Sequence, residues 1–86
     1  MTEDDSRIKR ALYRAHHRGT KEMDLLLGRF ADAELRTLNE TDITAFDELL
    51  VMPDQPIQSW LAGEESPPPD KQGIIQSIRQ FHGIKG

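Results

Sequence analysis

The sequence predicts an all-α fold: a compact bundle of about five short helices forming a single domain over residues 1–86. Apolar residues recur at helical spacing in every segment that has any, with no alternation at period two and no internal repeat. At 86 residues the chain can close one hydrophobic core and has too little left for a second. No heptad persists beyond two turns, so the helices are expected to pack as a globule and not as a coiled coil.

In the first helix Ile8, Ala11, Leu12 and Ala15 project within about a third of a turn of one another and form the inward stripe. Ser6 is its expected N-cap and Gly19 its stop, with residues 1–5 a flexible lead. The second helix runs from about Thr20 to Ala31, turning Met23, Leu26, Leu27 and Phe30 inward, and continues towards Leu38 after a kink near Asp32. A third has the clearest start: Asn39 as N-cap, acidic Asp42 three residues on, and Leu38 placed to staple against Ile43. Ile43, Phe46, Leu49 and Leu50 face inward, and Pro53 ends the helix at Met52. Asp54 is the expected cap of a two-turn helix that tolerates Pro56 in its first turn, buries Ile57, Trp60 and Leu61, and closes at Gly63. Trp60 reads as a core anchor, since aromatic rings supply much of the buried area in small domains. Residues 64–69, with three consecutive prolines, form a stiff exposed link. The last helix begins near Asp70, buries Ile74, Ile75, Ile78 and Phe81, and stops at Gly83.

Composition narrows the function. The absence of cysteine removes disulfides, thiolate metal sites and a cysteine nucleophile, and fits an intracellular compartment. The longest apolar runs, Leu25–Leu27 and Leu49–Met52, fall far short of the roughly 18 residues a membrane span needs. Thr2, Glu3, Asp4, Asp5 and Ser6 do not open like a secretory or transit signal. No dinucleotide fingerprint, P-loop or zinc-protease motif occurs. His16 and His17 point about 100° apart on a helix and cannot share a metal ion. The acid pairs Asp4 and Asp5, Asp47 and Glu48, and Glu64 and Glu65 are adjacent in sequence instead of converging across a pocket, as general acid–base chemistry needs. A binding protein is expected, with no catalytic residues and no metal.

The charge is placed unevenly. From Arg7 to Arg29 stand seven bases (Arg7, Lys9, Arg10, Arg14, Arg18, Lys21, Arg29) against two acids, whereas residues 30–86 carry ten acids against four bases. On the first helix Arg7, Arg10, Arg14, His17 and Arg18 share one stripe with Tyr13 beside it. The plain reading is a solvated outer face; the functional one is a contact surface for something acidic. A small nucleic-acid-binding module would use such a helix, but the acidic isoelectric point, the neighbouring acids Glu22 and Asp24 and the single tyrosine oppose it. An antitoxin-like regulatory module is a further alternative.

Between the first two helices, Gly19 is able to end one and cap the next, which would make Glu22 the third residue of the second helix. That accounts for Gly19 and Glu22 and leaves Arg18 without a role. Arg18, Gly19, Thr20, Lys21 and Glu22 spell RGxxE. Together with Arg10, Ala11, Leu12 and Tyr13 before it, and Met23, Asp24 and Leu25–Leu27 after it, the stretch closely resembles the succinate dehydrogenase assembly factors that promote covalent attachment of FAD to the flavoprotein subunit. Residues 39–52, the Pro53–Asp54 turn and Trp60 extend the likeness over roughly residues 7–62.

The resemblance implies a five-helix protein that binds the flavoprotein subunit of succinate dehydrogenase, with fumarate reductase a candidate second client. It implies a docking surface holding Arg18, Gly19 and Glu22; Arg10, Tyr13 and Asp24 complete the candidate contact set. A glycine lets another main chain approach closely, and Arg18 and Glu22 offer opposite hydrogen-bonding partners beside it. Flavin attachment in this family is understood as self-catalysed by the flavoprotein, so a helper needs only to hold a near-attack arrangement. FAD is then the partner's cofactor and none is expected to stay on this chain, whose glycines are scattered and form no phosphate cradle. No nucleic-acid or membrane partner is expected, and the free protein is expected to be a monomer.

Overall fold

Asn39 starts a helix in the way its side chain favours. In extended backbone (φ −74°, ψ 171°), its Oδ1 accepts a hydrogen bond from the Asp42 amide at 2.8 Å, so one orphan donor of the first turn is satisfied. This helix, α3 (Glu40–Leu50), is one of five in the computed structural model, which describes residues 3–84; α1 is Glu3–His16, α2 Lys21–Glu34, α4 Asp54–Ala62 and α5 Gln72–His82. No strand occurs among the described residues, as the period of the apolar positions requires. Residues 1 and 2 of the expected flexible lead lie outside the described residues.

The core is a single cluster to which every helix contributes: Ile8, Ala11 and Ala15 from α1, Met23, Leu27 and Phe30 from α2, Phe46, Leu49 and Leu50 from α3, Ile57, Trp60 and Leu61 from α4, and Ile74, Ile75 and Ile78 from α5. The expected inward stripes are therefore largely those observed, with Leu12, Leu26 and Ile43 at the margin. Helix α1 lies along α2 and touches α3, while α5 packs on α2, α3 and α4. Phe30 and Phe46 meet at 5.7 Å between ring centroids, and Phe81 meets Phe30 edge-on at the same separation. Phe81 was expected inside but is 38% exposed, because a last-turn residue reaches only the rim of the core.

Several boundaries differ from those the sequence predicts. Helix α1 already runs at Glu3, so Ser6 lies inside it and is not its cap. Helix α2 passes Asp32 unbroken and tightens only at the 3-10 turn Leu35–Thr37, where Leu35 is fully buried. Thr20, not Gly19, is the N-cap of α2: it is extended and its hydroxyl accepts from the Met23 amide at 3.3 Å. Pro53, with ψ 156°, takes the cap position of α4, so Asp54 becomes the first helical residue and its carboxylate is freed for another partner. The α3 helix ends at Leu50, two residues before the expected Met52. Gly63 (φ 79°) and Gly83 (φ 71°) close α4 and α5 in the left-handed conformation, as expected.

Past Gly63, residues 64–66 are exposed, and Pro69–Lys71 form a 3-10 turn that leads into α5. Lys71 anchors this turn: its ammonium, 8% exposed, donates to Glu48 Oε1 of α3 and to Asp70 Oδ2, both at 2.7 Å. Those bonds, Asp70 first and then Glu48, raise the Lys71 pKa, and the bond from Lys71 lowers that of Asp70. The proline-rich link is thus held to the bundle at its far end by charge.

Candidate docking site

The joint between α1 and α2 spans His17–Thr20, and its conformation rests on two residues. Gly19 has φ +107°, which side chains other than hydrogen rarely adopt, and an added Cβ would meet nothing within 4 Å. Space therefore does not select glycine here; backbone conformation does. The Arg18 amide donates to Asp24 Oδ1 at 2.6 Å, tying the joint to the first turns of α2.

The Arg18 side chain does not face solvent. It is 8% exposed, and its guanidinium spans the turn between α3 and α4: Nη1 donates to the Leu50 carbonyl at 2.5 Å, Nη2 to the Met52 carbonyl at 2.6 Å and to Asp54 Oδ1 at 2.7 Å, and Nε to the same carboxylate oxygen at 3.0 Å. The planar fork suits this task, since one head reaches two carbonyls and a carboxylate at once. It also places a cation at the C-terminal end of α3, where unpaired carbonyls concentrate negative charge. The resemblance implied Arg18 on the docking surface as a hydrogen-bonding contact; its side chain is instead buried, because the guanidinium is spent on holding the α1–α2 joint against the α3–α4 turn.

The other expected contact residues divide. Arg10 and Glu22 are exposed and have no side-chain partner among the described residues. Tyr13 is 66% exposed, and its ring stacks on His17 at 4.0 Å and 17°, while a hydrogen bond of 2.7 Å links His17 Nδ1 to the Tyr13 carbonyl. Gly19 is exposed. Asp24 is half-buried with its carboxylate turned into the joint, so it acts with Arg18 in shaping the edge and is not displayed on it. The accessible edge therefore comprises Arg10, Tyr13, Gly19 and Glu22.

The basic stripe of α1 is also partly neutralised from within. Arg7 donates to Asp47 at 2.8 Å, to Glu40 at 2.5 Å and to Thr44 at 2.9 Å, clamping α1 to α3. Its hydrogen bonds to Asp47, then to Glu40, raise its pKa. His16 lies across α2 with Nε2 2.9 Å from Asp32 Oδ1, and its ring occupies the space a side chain at Gly28 would need, since a Cβ there would stand 2.6 Å from Nδ1. Arg7, His16 and Arg18 thus already face acids, which weakens the case for a phosphate-binding helix.

Sequence reading missed Asp54 as the partner of Arg18. The available signal was Met52-Pro53-Asp54: a proline fixes the cap, moves the acid into the first helical position, and leaves its carboxylate free. A shallow groove of about 470 Å3 lies elsewhere, along α4 and α5, with Trp60, Pro67, Ile75, Glu65 and Arg79 among its lining residues. Its titratable side chains, one exposed carboxylate and one guanidinium, do not make a general acid–base pair.

Comparison with known proteins adds a family. The family model described as "Flavinator of succinate dehydrogenase" matches residues 9–82. Over 75 residues the chain is 39% identical to the FAD assembly factor SdhE of Legionella pneumophila (strain Paris), covering 87% of this chain and 95% of that one. It is 38% identical over 66 residues to the FAD assembly factor SdhE of Acetobacter pasteurianus, covering 77% of this chain but only 61% of that protein's length. It is 31% identical over 81 residues to the mitochondrial succinate dehydrogenase assembly factor 2 of Caenorhabditis elegans, covering 90% and 68% respectively. No solved structure matches.

Proposed function

The chain belongs to the family of succinate dehydrogenase flavinators, and from that premise we propose that it is an assembly factor that docks on the flavoprotein subunit and promotes covalent attachment of FAD there. The observation that carries the docking reading is the joint itself. Gly19 is exposed with open space where a side chain would go, the Glu22 carboxylate three residues on is unpartnered among the described residues, and Arg10 and Tyr13 are exposed on the preceding helix. Charged groups left without internal partners are free to pair with an incoming surface, and the helices beneath them add little backbone ordering to the cost of fixing their side chains.

The role is that of a non-catalytic helper. Support comes from the lack of a convergent acid–base pair along the groove and from the dispersal of the glycines. Gly28 lies under His16, Gly63 and Gly83 end helices, Gly73 lies within α5, and Gly19 is the lone glycine of the four-residue α1–α2 joint, so none of these forms a glycine-rich loop that cradles phosphates. FAD accordingly belongs to the partner. The helper acts by holding the partner in an arrangement that favours its own bond formation, an effect of orientation that needs no donated group. This reading makes the free chain a monomer of the bacterial cytoplasm, in keeping with its likeness to bacterial assembly factors.

The experiment is mass spectrometry of the denatured flavoprotein subunit produced with and without this chain. Retention of the added mass of FAD only when the chain is present is the expected result. Equal retention in both samples would remove the proposed function.

A further inference from the structure

The turn between α3 and α4 carries Val51, at 72% the most exposed of the large apolar side chains among the described residues. A lone exposed valine is ordinary on a protein surface. What sets this one apart is the backbone under it. The carbonyl before it, on Leu50, and the carbonyl after it, on Met52, are both held by the buried guanidinium of Arg18. Pro53 fixes the next residue, and Asp54 closes on the same arginine through two hydrogen bonds. An apolar side chain on so constrained a turn loses little conformational freedom when covered.

The arginine that pins this turn is also the residue next to Gly19, and its amide is tied by Asp24 to the start of α2. The α1–α2 joint and the α3–α4 turn therefore share one residue that fixes each relative to the other. Resting on the docking reading above, we propose that Arg18 is a positioning residue and not a contact. The docking surface is bipartite, with a polar edge at Tyr13, Gly19 and Glu22 and an apolar knob at Val51, kept in register by the Arg18–Asp54 brace. The occupant of both parts is the flavoprotein subunit, which meets the edge with hydrogen-bond donors for Glu22 and covers Val51 with an apolar patch. Continuity through Arg18 carries this assignment.

The test is the affinity of the flavoprotein subunit for the full chain and four variants, Glu22→Ala, Val51→Asp, Asp54→Ala and Arg18→Lys, each below its melting range by circular dichroism. Amide NMR shifts of the free variants are read alongside. Val51→Asp replaces an exposed group and is expected to fold as wild type and bind about tenfold more weakly or worse. Asp54→Ala leaves every exposed residue of the edge in place. It is expected to move the amides of Val51, Met52 and Gly19 together and to weaken binding to a similar degree. Arg18→Lys, whose single ammonium cannot span both carbonyls and the carboxylate, is expected to behave like Asp54→Ala. Wild-type affinity in Asp54→Ala and Arg18→Lys would refute the brace, and wild-type affinity in Val51→Asp would refute the knob. Either result with weakened Glu22→Ala leaves the docking reading standing, whereas undiminished binding by Glu22→Ala overturns that reading itself.

Discussion

At the scale of single residues, neighbours in one short segment do different work. Arg18 is a buried brace, Gly19 a conformational requirement and Glu22 a displayed charge. Arg18→Ala strands two carbonyls and the Asp54 carboxylate, and should cost about 2–3 kcal/mol in urea unfolding, near the low end for breaking a buried pair because Asp54 keeps some access to water. Gly19→Ala should cost about 1–2 kcal/mol through backbone strain alone, since nothing crowds a Cβ there. A bulky replacement such as Gly19→Arg therefore mixes strain with blocked docking. Glu22→Ala is the cleaner probe: the side chain is exposed and has no partner among the described residues, so its stability should stay within about 0.5 kcal/mol of wild type. Sequence spacing exposed the segment as unusual, but it could not separate these roles, because the partners of Arg18 lie more than thirty residues away.

At the scale of elements, contacts that the apolar period does not report hold the helices in register. His16 lies where a side chain at Gly28 would go, so Gly28→Ala must evict the ring and break its bond to Asp32. That loss should offset the gain of about 1 kcal/mol that alanine brings to a helix interior, and the gain should emerge when His16→Ala is already present, as a double-mutant cycle by urea unfolding would show. The proline-rich link is tied down by Lys71, whose bond keeps the Asp70 carboxyl below its ordinary range. A lowered carboxyl pKa contributes stability in full above the unfolded value near 3.8, and loses it as pH falls through the folded value. The melting temperature of Asp70→Asn should thus lie below wild type at pH 7, with the gap closing as both are titrated towards pH 2. Helix existence and inward faces were legible from spacing, and Asn39 and Gly63 from local chemistry. Cap positions at Thr20 and Pro53 were not, since each competes with an equally eligible neighbour, Gly19 or Asp54, and backbone geometry decides between them.

At the scale of the whole molecule, one core joins all five helices, and Trp60 lies within it at 7% exposure. Unfolding should be a single cooperative event, with tryptophan fluorescence and far-ultraviolet circular dichroism tracing the same urea transition; separated midpoints would mean that part of the bundle melts alone. On the proposed reading, this rigid frame presents the α1–α2 joint as an edge for a partner. A helper that acts by orienting its partner, as proposed, needs no active site of its own. The most direct measurement of that claim is the fraction of flavoprotein subunit that keeps FAD after denaturation when the helper supplied is Glu22→Ala in place of wild type. The expected result is a fall of about tenfold or more in initial flavinylation rate with the variant's melting curve unchanged. A rate equal to that of wild type would contradict the account.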